Sequence, residues 1–263
     1  MRIIPKANTL RKSILIYRRI RHRKGHGVHS PFVFNLITKV IEEKSPYYTF
    51  HEIELLRKRL SFKEERITYP DRHHKGKLRT RSIARIVAQE AINPKHGALL
   101  FRLTNYFKPE HILQIGPSMG LSALYLSSYR TGVNCIALEH VKEFATISQW
   151  VYQQAFRNPV TLQVGAYEEI LPPVLSSLKQ LDFVYFNTAT ETFENEWIFK
   201  TCLEHIHART VFMIKGIKSN KEMRELWQQV LARPEVTVTI DLYSMGLVFF
   251  NPKLHKRNYK VYF

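Results

Sequence analysis

The sequence predicts an α/β fold. It is a doubly wound, mostly parallel sheet of seven strands with a C-terminal antiparallel hairpin, preceded by a basic helical region. Three observations predict it. From His111 onward, short apolar runs alternate with helical segments, the pattern of parallel strands joined by crossover helices. The first run feeds a glycine-bearing turn, Gly116 to Gly120, that opens a helix. Only Tyr243, Ser244 and Met245 separate the last two runs, too few for a crossover, so those two must pair antiparallel.

The expected strands are 111–115, 133–138, 160–164, 182–186, 210–214, 236–242 and 246–250. Ile112, Leu113 and Ile115 make the first a buried strand, and Leu121, Ala123, Leu124 and Leu126 begin the helix after the turn. Glycines at both ends of such a turn let the backbone approach a ligand closely. The helix start beyond it offers unpaired N–H groups to a carboxylate or phosphate.

The 95 residues upstream read as a separate basic helical region, with the second unit spanning 96–263. Residues 1–30 hold nine Lys or Arg and no acid, centred on Arg18-Arg19-Ile20-Arg21-His22-Arg23-Lys24. This run is either a solvated arm, a contact for a polyanion, or a lipid-surface segment. Ser30-Pro31 reads as an N-cap followed by proline at the first helical position, with an apolar helix to about residue 41. Further helices are expected at 51–60, 82–92 and 97–107, the last stopped by Lys108-Pro109. Between them lies a basic stretch carrying a loop at 70–77; its His73-His74 pair has no acidic or cysteine partner at ligand spacing and reads as solvated.

A formal net charge of +18 and a pI near 9.9 imply a surface attracted to polyanions, such as nucleic acid, an anionic membrane or acidic substrates. Cys135 and Cys202 are far apart, outside any CxxC spacing, and fit a reduced intracellular setting. No apolar run approaches the ~20 residues of a membrane span. The N-terminal apolar run Ile14–Tyr17 is too short for a signal-peptide core. The expected location is cytoplasmic.

The order of these elements resembles the class I S-adenosylmethionine (SAM)-dependent methyltransferases over about Leu99 to Phe250. Within that class, Gln114-Ile115-Gly116-Pro117-Ser118-Met119-Gly120-Leu121-Ser122 is similar to the first motif of the catechol O-methyltransferase type, with Gln114 replacing the usual Glu. The segment Gly27–Phe34, together with 219–227 and 236–250, resembles a group of uncharacterised bacterial methyltransferases. In 219–227, Ser219 reads as an N-cap whose capping box is completed by Glu222.

The resemblance implies SAM as cofactor and a set of residues to hold it. Gln114, Gly116, Ser118 and Gly120 form the turn, and Ser122 at the helix start would meet the methionine carboxylate. Glu139 lies 23 residues after Gly116, where a carboxylate accepts both ribose hydroxyls. Gly165, Ala166 and Tyr167 stand where adenine is placed, and His140 and Asn187 sit at neighbouring strand ends. In the catechol type, a divalent cation held by carboxylates lowers the acceptor hydroxyl pKa, and a lysine acts as base.

This sequence departs from those positions. Asn187 replaces the expected Asp, Thr190 the lysine, and Lys215-Gly216 the acidic pair after the fifth strand. An ammonium at 215 repels a divalent cation, so no catalytic metal is expected. Three explanations stand. The catalytic centre is lost; Lys215 supplies the positive charge in place of the metal; or the reacting residues lie elsewhere, with Lys218, His140 and Tyr243 as weaker candidates. The readings are a metal-independent methyltransferase with an unknown acceptor, a non-catalytic SAM-fold binding or regulatory protein, and a nucleic-acid binder using the fold as scaffold. A nicotinamide enzyme fits less well because of the terminal hairpin.

Overall fold

The computed structural model describes residues 13, 14, 16–18, 27–71, 76–155, 159–188 and 192–263, the side chains of Thr192 and Phe193 excepted. Ahead of the large sheet come α1 (Pro31–Leu36), continued by a π-helical turn at Ile37–Ile41, and α2 (Tyr48–Ser61). A hairpin of β1 (Arg66–Pro70) and β2 (Leu78–Ser82) follows, then α3 (Ile83–Glu90) and α4 (Pro94–Phe107). The alternating part is β3 (His111–Ile115), α5 (Leu121–Ser127), β4 (Asn134–Glu139), α6 (Lys142–Gln154), β5 (Val160–Val164), α7 (Tyr167–Leu178) and β6 (Leu181–Phe186). It continues through α8 (Thr192–Leu203), β7 (Ile206–Lys215), α9 (Lys221–Ala232), β8 (Val238–Asp241), β9 (Met245–Phe249) and β10 (Arg257–Lys260).

The large sheet has the order β10-β8-β9-β7-β6-β3-β4-β5. Only β9 runs against its neighbours, forming the expected hairpin with β8 and inserting beside β7. The sheet therefore has eight described strands rather than seven. β10 pairs in parallel with β8 at the edge, and its largely exposed Arg-Asn-Tyr-Lys has no apolar run for pattern reading to detect. The sequence reading gave a basic stretch with a loop at 70–77; the strands β1 and β2 on either side of that loop were not expected. These strands are half-exposed and carry cations, and they are joined by a Thr68–Thr80 hydroxyl pair at 2.7 Å and an Arg79–Asp71 ion pair at 2.6 Å.

The pleat divides the core into two layers. Phe183, Tyr185, Val211 and Met213 face the layer of α1–α6, whereas Val184, Phe186, Phe212 and Ile214 face α7–α9. Val33, Leu36, Ile53, Ile83 and Ile86 from the N-terminal elements share the first layer with Leu99 and Ile112. Each such fully buried side chain stabilises by about 1.5–3 kcal/mol over leaving it exposed. The upstream region thus packs as a layer on the sheet, and the expected 95/96 boundary falls inside α4. Buried Arg102 adds to this join by donating from Nε to the Val40 carbonyl at 2.8 Å.

Caps explain the local starts. Ser30 Oγ accepts the Val33 amide ahead of Pro31, and Asn93 Oδ1 accepts the His96 amide ahead of Pro94. At α9 the cap is Asn220, whose Oδ1 accepts the Met223 amide; Ser219, read as the cap from sequence, instead donates its hydroxyl to the Gly216 carbonyl.

Candidate functional site

From β3 the chain moves outward to β4 and β5, then returns to the other side of β3 as β6. That reversal opens a crevice beyond the carboxyl ends of β3 and β6, the place where open α/β sheets hold ligands. The glycine turn sits there. Gly116 and Gly120 have φ of 97° and 77°. A Cβ on Gly116 would lie 2.5 Å from the Asn187 carbonyl oxygen, and one on Gly120 would lie 2.8 Å from Val151 Cβ. Both glycines are therefore required by the packing of the turn against β6's end and α6, whatever ligand the turn receives.

The predicted residues are brought together around this turn. Gln114 donates to the Gly116 carbonyl and accepts the Ser122 hydroxyl at 3.2 Å. Ser118 Oγ accepts the Gly120 amide at 3.1 Å. Asn187 donates from Nδ2 to the Pro117 carbonyl, and its own amide donates to Ile115 O at 2.8 Å, so it ties β6's end to the turn. At the end of β4, Glu139 is only 2% exposed, and its Oε1 accepts the Val141 amide at 3.1 Å. His140 Nδ1 lies 3.7 Å from Glu139 Oε1 and 3.1 Å from Tyr167 Oη. The Gly165 amide donates to Glu139 O at 3.1 Å, which brings the end of β5 alongside. Ala166 is exposed at the start of α7, while Tyr167 is fully buried.

Two hydroxyls beside the turn were not singled out by sequence reasoning. Thr188 Oγ1 and Tyr152 Oη are buried and have no hydrogen-bond partner among the described residues. The Thr188 amide is 3.1 Å from where a Gly116 Cβ would stand. Tyr152, on α6, is close enough to Ser118 and Glu139 to feel both, and burial pushes its phenol well above the ordinary value. A buried polar group without a partner calls for a ligand or water. The sequence signal was slight: Thr188 merely follows Asn187, and Tyr152 reads as one more helix aromatic.

Farther along the sheet, Tyr185 of β6 is paired with Met213 of β7. Two residues on, Asn187 and Lys215 therefore lie on the same face of adjacent strands, which are about 4.8 Å apart. Lys215 Nζ donates to the Glu90 carbonyl at 3.4 Å, placing the α3–α4 junction across the end of β7. Gly216 N donates to Ser244 O at 2.7 Å, and Ser244 Oγ lies 3.1 Å from His96 Nε2.

Asp241, at the end of β8, is enclosed. It meets Arg18 Nη1 and Nη2 at 2.9 and 3.0 Å, Lys218 Nζ at 2.7 Å and the Tyr243 amide at 2.6 Å. Burial alone would raise its carboxyl, but the hydrogen bonds from Arg18 and Lys218 outweigh this and hold it below the usual range. Arg18 is the one residue of the basic 18–24 run that is described; Thr190 and the His73-His74 pair lie outside the described residues.

Among the described residues, no group of three His, Cys, Asp or Glu is placed to hold a metal ion, and no helix is long and apolar enough to cross a membrane. Both cysteines are buried and free, and burial pushes the Cys135 thiol up to about 12.

No family model and no curated protein matches the sequence. Solved structures do match the fold. A Bacillus cereus O-methyltransferase in complex with S-adenosylhomocysteine (SAH) is 16% identical, covering 83% of this chain and 97% of its own, with a TM-score of 0.54. An SAH-bound methyltransferase from Podospora anserina is 14% identical, covering 95% and 99%, with a TM-score of 0.57. A SAM-bound Streptomyces achromogenes O-methyltransferase involved in tomaymycin synthesis is 13% identical, covering 79% and 91%, with a TM-score of 0.53. The chain has the fold of the class I SAM-dependent methyltransferases, and among them it resembles the O-methyltransferases.

Proposed function

We propose that this chain is a SAM-dependent methyltransferase that works without a resident divalent metal. The observation that carries the reading is the buried polar lining of the turn, where the Glu139 carboxylate, Tyr152 Oη and Thr188 Oγ1 surround a glycine-defined crevice. These groups fit SAM. Glu139 would accept the ribose hydroxyls, and Tyr152 and Thr188 would supply hydroxyls to its polar groups. Gly165, Ala166 and His140 would border the adenine, with Tyr167 holding His140 in place. SAM supplies an already activated methyl group on its sulfonium, so the remaining work of the protein is alignment and stabilisation of the nucleophile.

Lys215 is the residue assigned to the nucleophile. It shares a face with Asn187 beyond the turn, and its ammonium favours a deprotonated acceptor where the catechol type uses a cation. Asn187 positions the turn rather than ligating a metal, since its amide is committed to Pro117 O. A second reading has its own support. Asn187 and Lys215 are both bound to backbone carbonyls, which suits a SAM-fold binding protein without turnover.

Calorimetric titration with SAM and SAH, with and without magnesium and EDTA, tests the proposal. Binding that ignores EDTA supports a metal-independent site; the absence of binding at millimolar ligand overturns it. Glu139→Ala should weaken SAH binding by about 1.5–3 kcal/mol, the range for a hydrogen bond to a charged group. Unchanged affinity would remove Glu139 from the site. Methyl transfer to any acceptor in a substrate screen separates the enzyme from the binding protein.

A further inference from the structure

The outer face of α2 carries an apolar stripe that the fold leaves uncovered. Tyr48, Leu55 and Phe62 recur at a spacing of seven residues and are 91%, 44% and 72% exposed. Seven residues are close to two helical turns, so the three side chains lie along one line of the helix surface. The solvent face of a surface helix is ordinarily polar. The opposite face of α2 is already packed in the core through Ile53, Leu56 and Leu60. The stripe is therefore a second apolar face on a helix whose place in the fold is satisfied. It is also rigidly mounted: Glu54 accepts the Tyr125 hydroxyl of α5 and an Arg57 guanidinium N–H, both at 2.8 Å.

The residues beside the stripe are ordered too. Glu52 lies three positions before Leu55 and Arg59 four after it, and helical geometry puts both on the same flank; His51 and Lys58 fall on the other. Both Glu52 and Arg59 are exposed. Reversed end for end, the line keeps its chemistry: an aromatic ring at either end, a leucine at the centre, and opposite charges at matched distances from it. On the Glu52–Arg59 flank a groove of about 230 Å³ opens between α2 and the ends of α5 and α6, floored by Leu56, Leu124 and Ala155.

We infer that two copies of this chain associate through α2, packed antiparallel about a two-fold axis at Leu55. In that register Leu55 meets the partner's Leu55, Tyr48 meets the partner's Phe62, and Glu52 meets the partner's Arg59. The symmetry repeats the last two contacts. An isologous contact needs a surface that complements itself, and the reversal symmetry of this stripe supplies one. The groove receives the aliphatic stem of the partner's Arg59. With roughly 150–250 Å² on a whole Phe or Tyr side chain, the three apolar residues expose on the order of 400 Å² per copy. A pair then covers about 800 Å² before the flanks are added, at the low end for a specific association. The net charge of +18 on each copy opposes close approach. The dimer is accordingly weak, dissociating in the micromolar range. An anionic lipid surface would favour Lys58 and Arg59 beside the stripe, but it would repel Glu52, which the antiparallel pair uses.

Sedimentation velocity on the full-length protein, over a concentration series through the micromolar range, tests the inference. Wild type should pass from monomer to dimer. Leu55→Asp sets two carboxylates against each other at the axis and should weaken the dimer by about tenfold or more. Arg59→Glu should weaken it by about tenfold, and adding Glu52→Arg to Arg59→Glu should restore it, because the exchanged pair has the same attraction. These side chains are exposed, so urea midpoints should stay at the wild-type value. Cross-linking reads the register directly. Both native cysteines are buried, which leaves an introduced thiol as the accessible one. With diamide as oxidant, Leu55→Cys should give a disulfide-linked dimer. Tyr48→Cys should not do so alone, its two copies lying about 21 Å apart along the helices, but should cross-link when mixed with Phe62→Cys. A protein that stays monomeric throughout overturns the inference, as does a dimer indifferent to Leu55→Asp or one that Tyr48→Cys links by itself. Binding of a monomer to phosphatidylglycerol vesicles that is lost in Leu55→Asp would assign the stripe to a membrane surface instead. None of these outcomes depends on SAM or SAH, so the methyltransferase reading stands or falls separately.

Discussion

The two ends of the parallel sheet hold their polar groups in opposite states. At the amino ends, Asp182 is saturated: Oδ2 accepts the Glu110 and His111 amides at 2.8 and 2.9 Å, and Oδ1 meets His207 Nε2 at 2.8 Å. His207 is fixed in turn, since its Nδ1 accepts the Arg209 amide at 3.1 Å. The cleft there is large, about 620 Å³, and is lined by Lys108, His111, Lys179 and Arg209 around this His–Asp pair. It resembles a site by size and charge, yet the Asp182 carboxylate and the His207 ring at its centre are engaged by each other and by three backbone amides. At the carboxyl ends, by contrast, the buried Thr188 and Tyr152 hydroxyls have no hydrogen-bond partner among the described residues. Unmet hydrogen-bonding capacity, rather than volume or charge, is what distinguishes the end proposed to receive a ligand from the opposite one.

Asp241 is the sharpest probe of that rule, because it is a saturated acid on the open end. If saturation marks a structural role wherever it occurs, Asp241→Ala should cost stability and leave SAH affinity within about twofold. Removing one partner of a buried ion pair costs about 3–5 kcal/mol, the largest effect expected of any single change discussed. Urea unfolding measures it. A loss under about 1 kcal/mol, the scale of an exposed ion pair, would show that Arg18 is not anchored there in solution.

Asp182 is the matching probe at the closed end, with a smaller effect. Its partners are two backbone amides and one histidine, and its loss should cost about 1–3 kcal/mol. The sign of the pH dependence follows from its carboxyl. Burial alone would raise it, but hydrogen bonds from the His111 amide, then His207 and the Glu110 amide, outweigh that and hold it below its ordinary value. A folded value below the unfolded one, about 3.9, means stabilisation that is complete above the unfolded value and fades as pH falls through the folded one. Asp182→Asn should therefore be least stable relative to wild type near neutrality, with the difference closing in acid. A difference that persists unchanged at pH 2 would assign the effect to geometry instead of ionisation.

Much of this contrast was legible in the sequence, but unevenly. The strand 111–115, the turn after it and the terminal hairpin were readable because buried strands write continuous apolar runs and a three-residue gap admits no crossover. β10 and the β1–β2 hairpin were not, because edge strands facing water carry Arg, Lys and Thr and write no period. Gly116, Gly120 and Glu139 were singled out through the family resemblance, and the structure places them at the same end of the sheet. Thr188 and Tyr152 were missed, since what marks them is the absence of a partner among the described residues, a property of packing that no single residue encodes. Asp241 and Arg18 are 223 positions apart, and nothing local to either announces the other.

The smallest predicted effects test whether being partnerless is sufficient. Tyr185 Oη is also buried with no hydrogen-bond partner among the described residues, but its side chain lies in the apolar layer with Met213 and Phe183 and is fully enclosed. A ligand in the crevice cannot reach a group beneath that layer, so its hydroxyl is only a desolvation cost. Tyr185→Phe should raise stability by about 1 kcal/mol, the low end of the penalty for an unsatisfied buried group, and leave SAH affinity unchanged. Tyr152→Phe, with its hydroxyl beside Ser118 and Glu139, should weaken SAH binding several-fold. The pair separates two meanings of the same observation. Where the orphaned hydroxyl borders the crevice, its loss is felt by the ligand; where it is sealed in the core, its loss is felt by the fold. Equal behaviour of the two variants in both assays would mean that a missing partner carries no functional information in this protein.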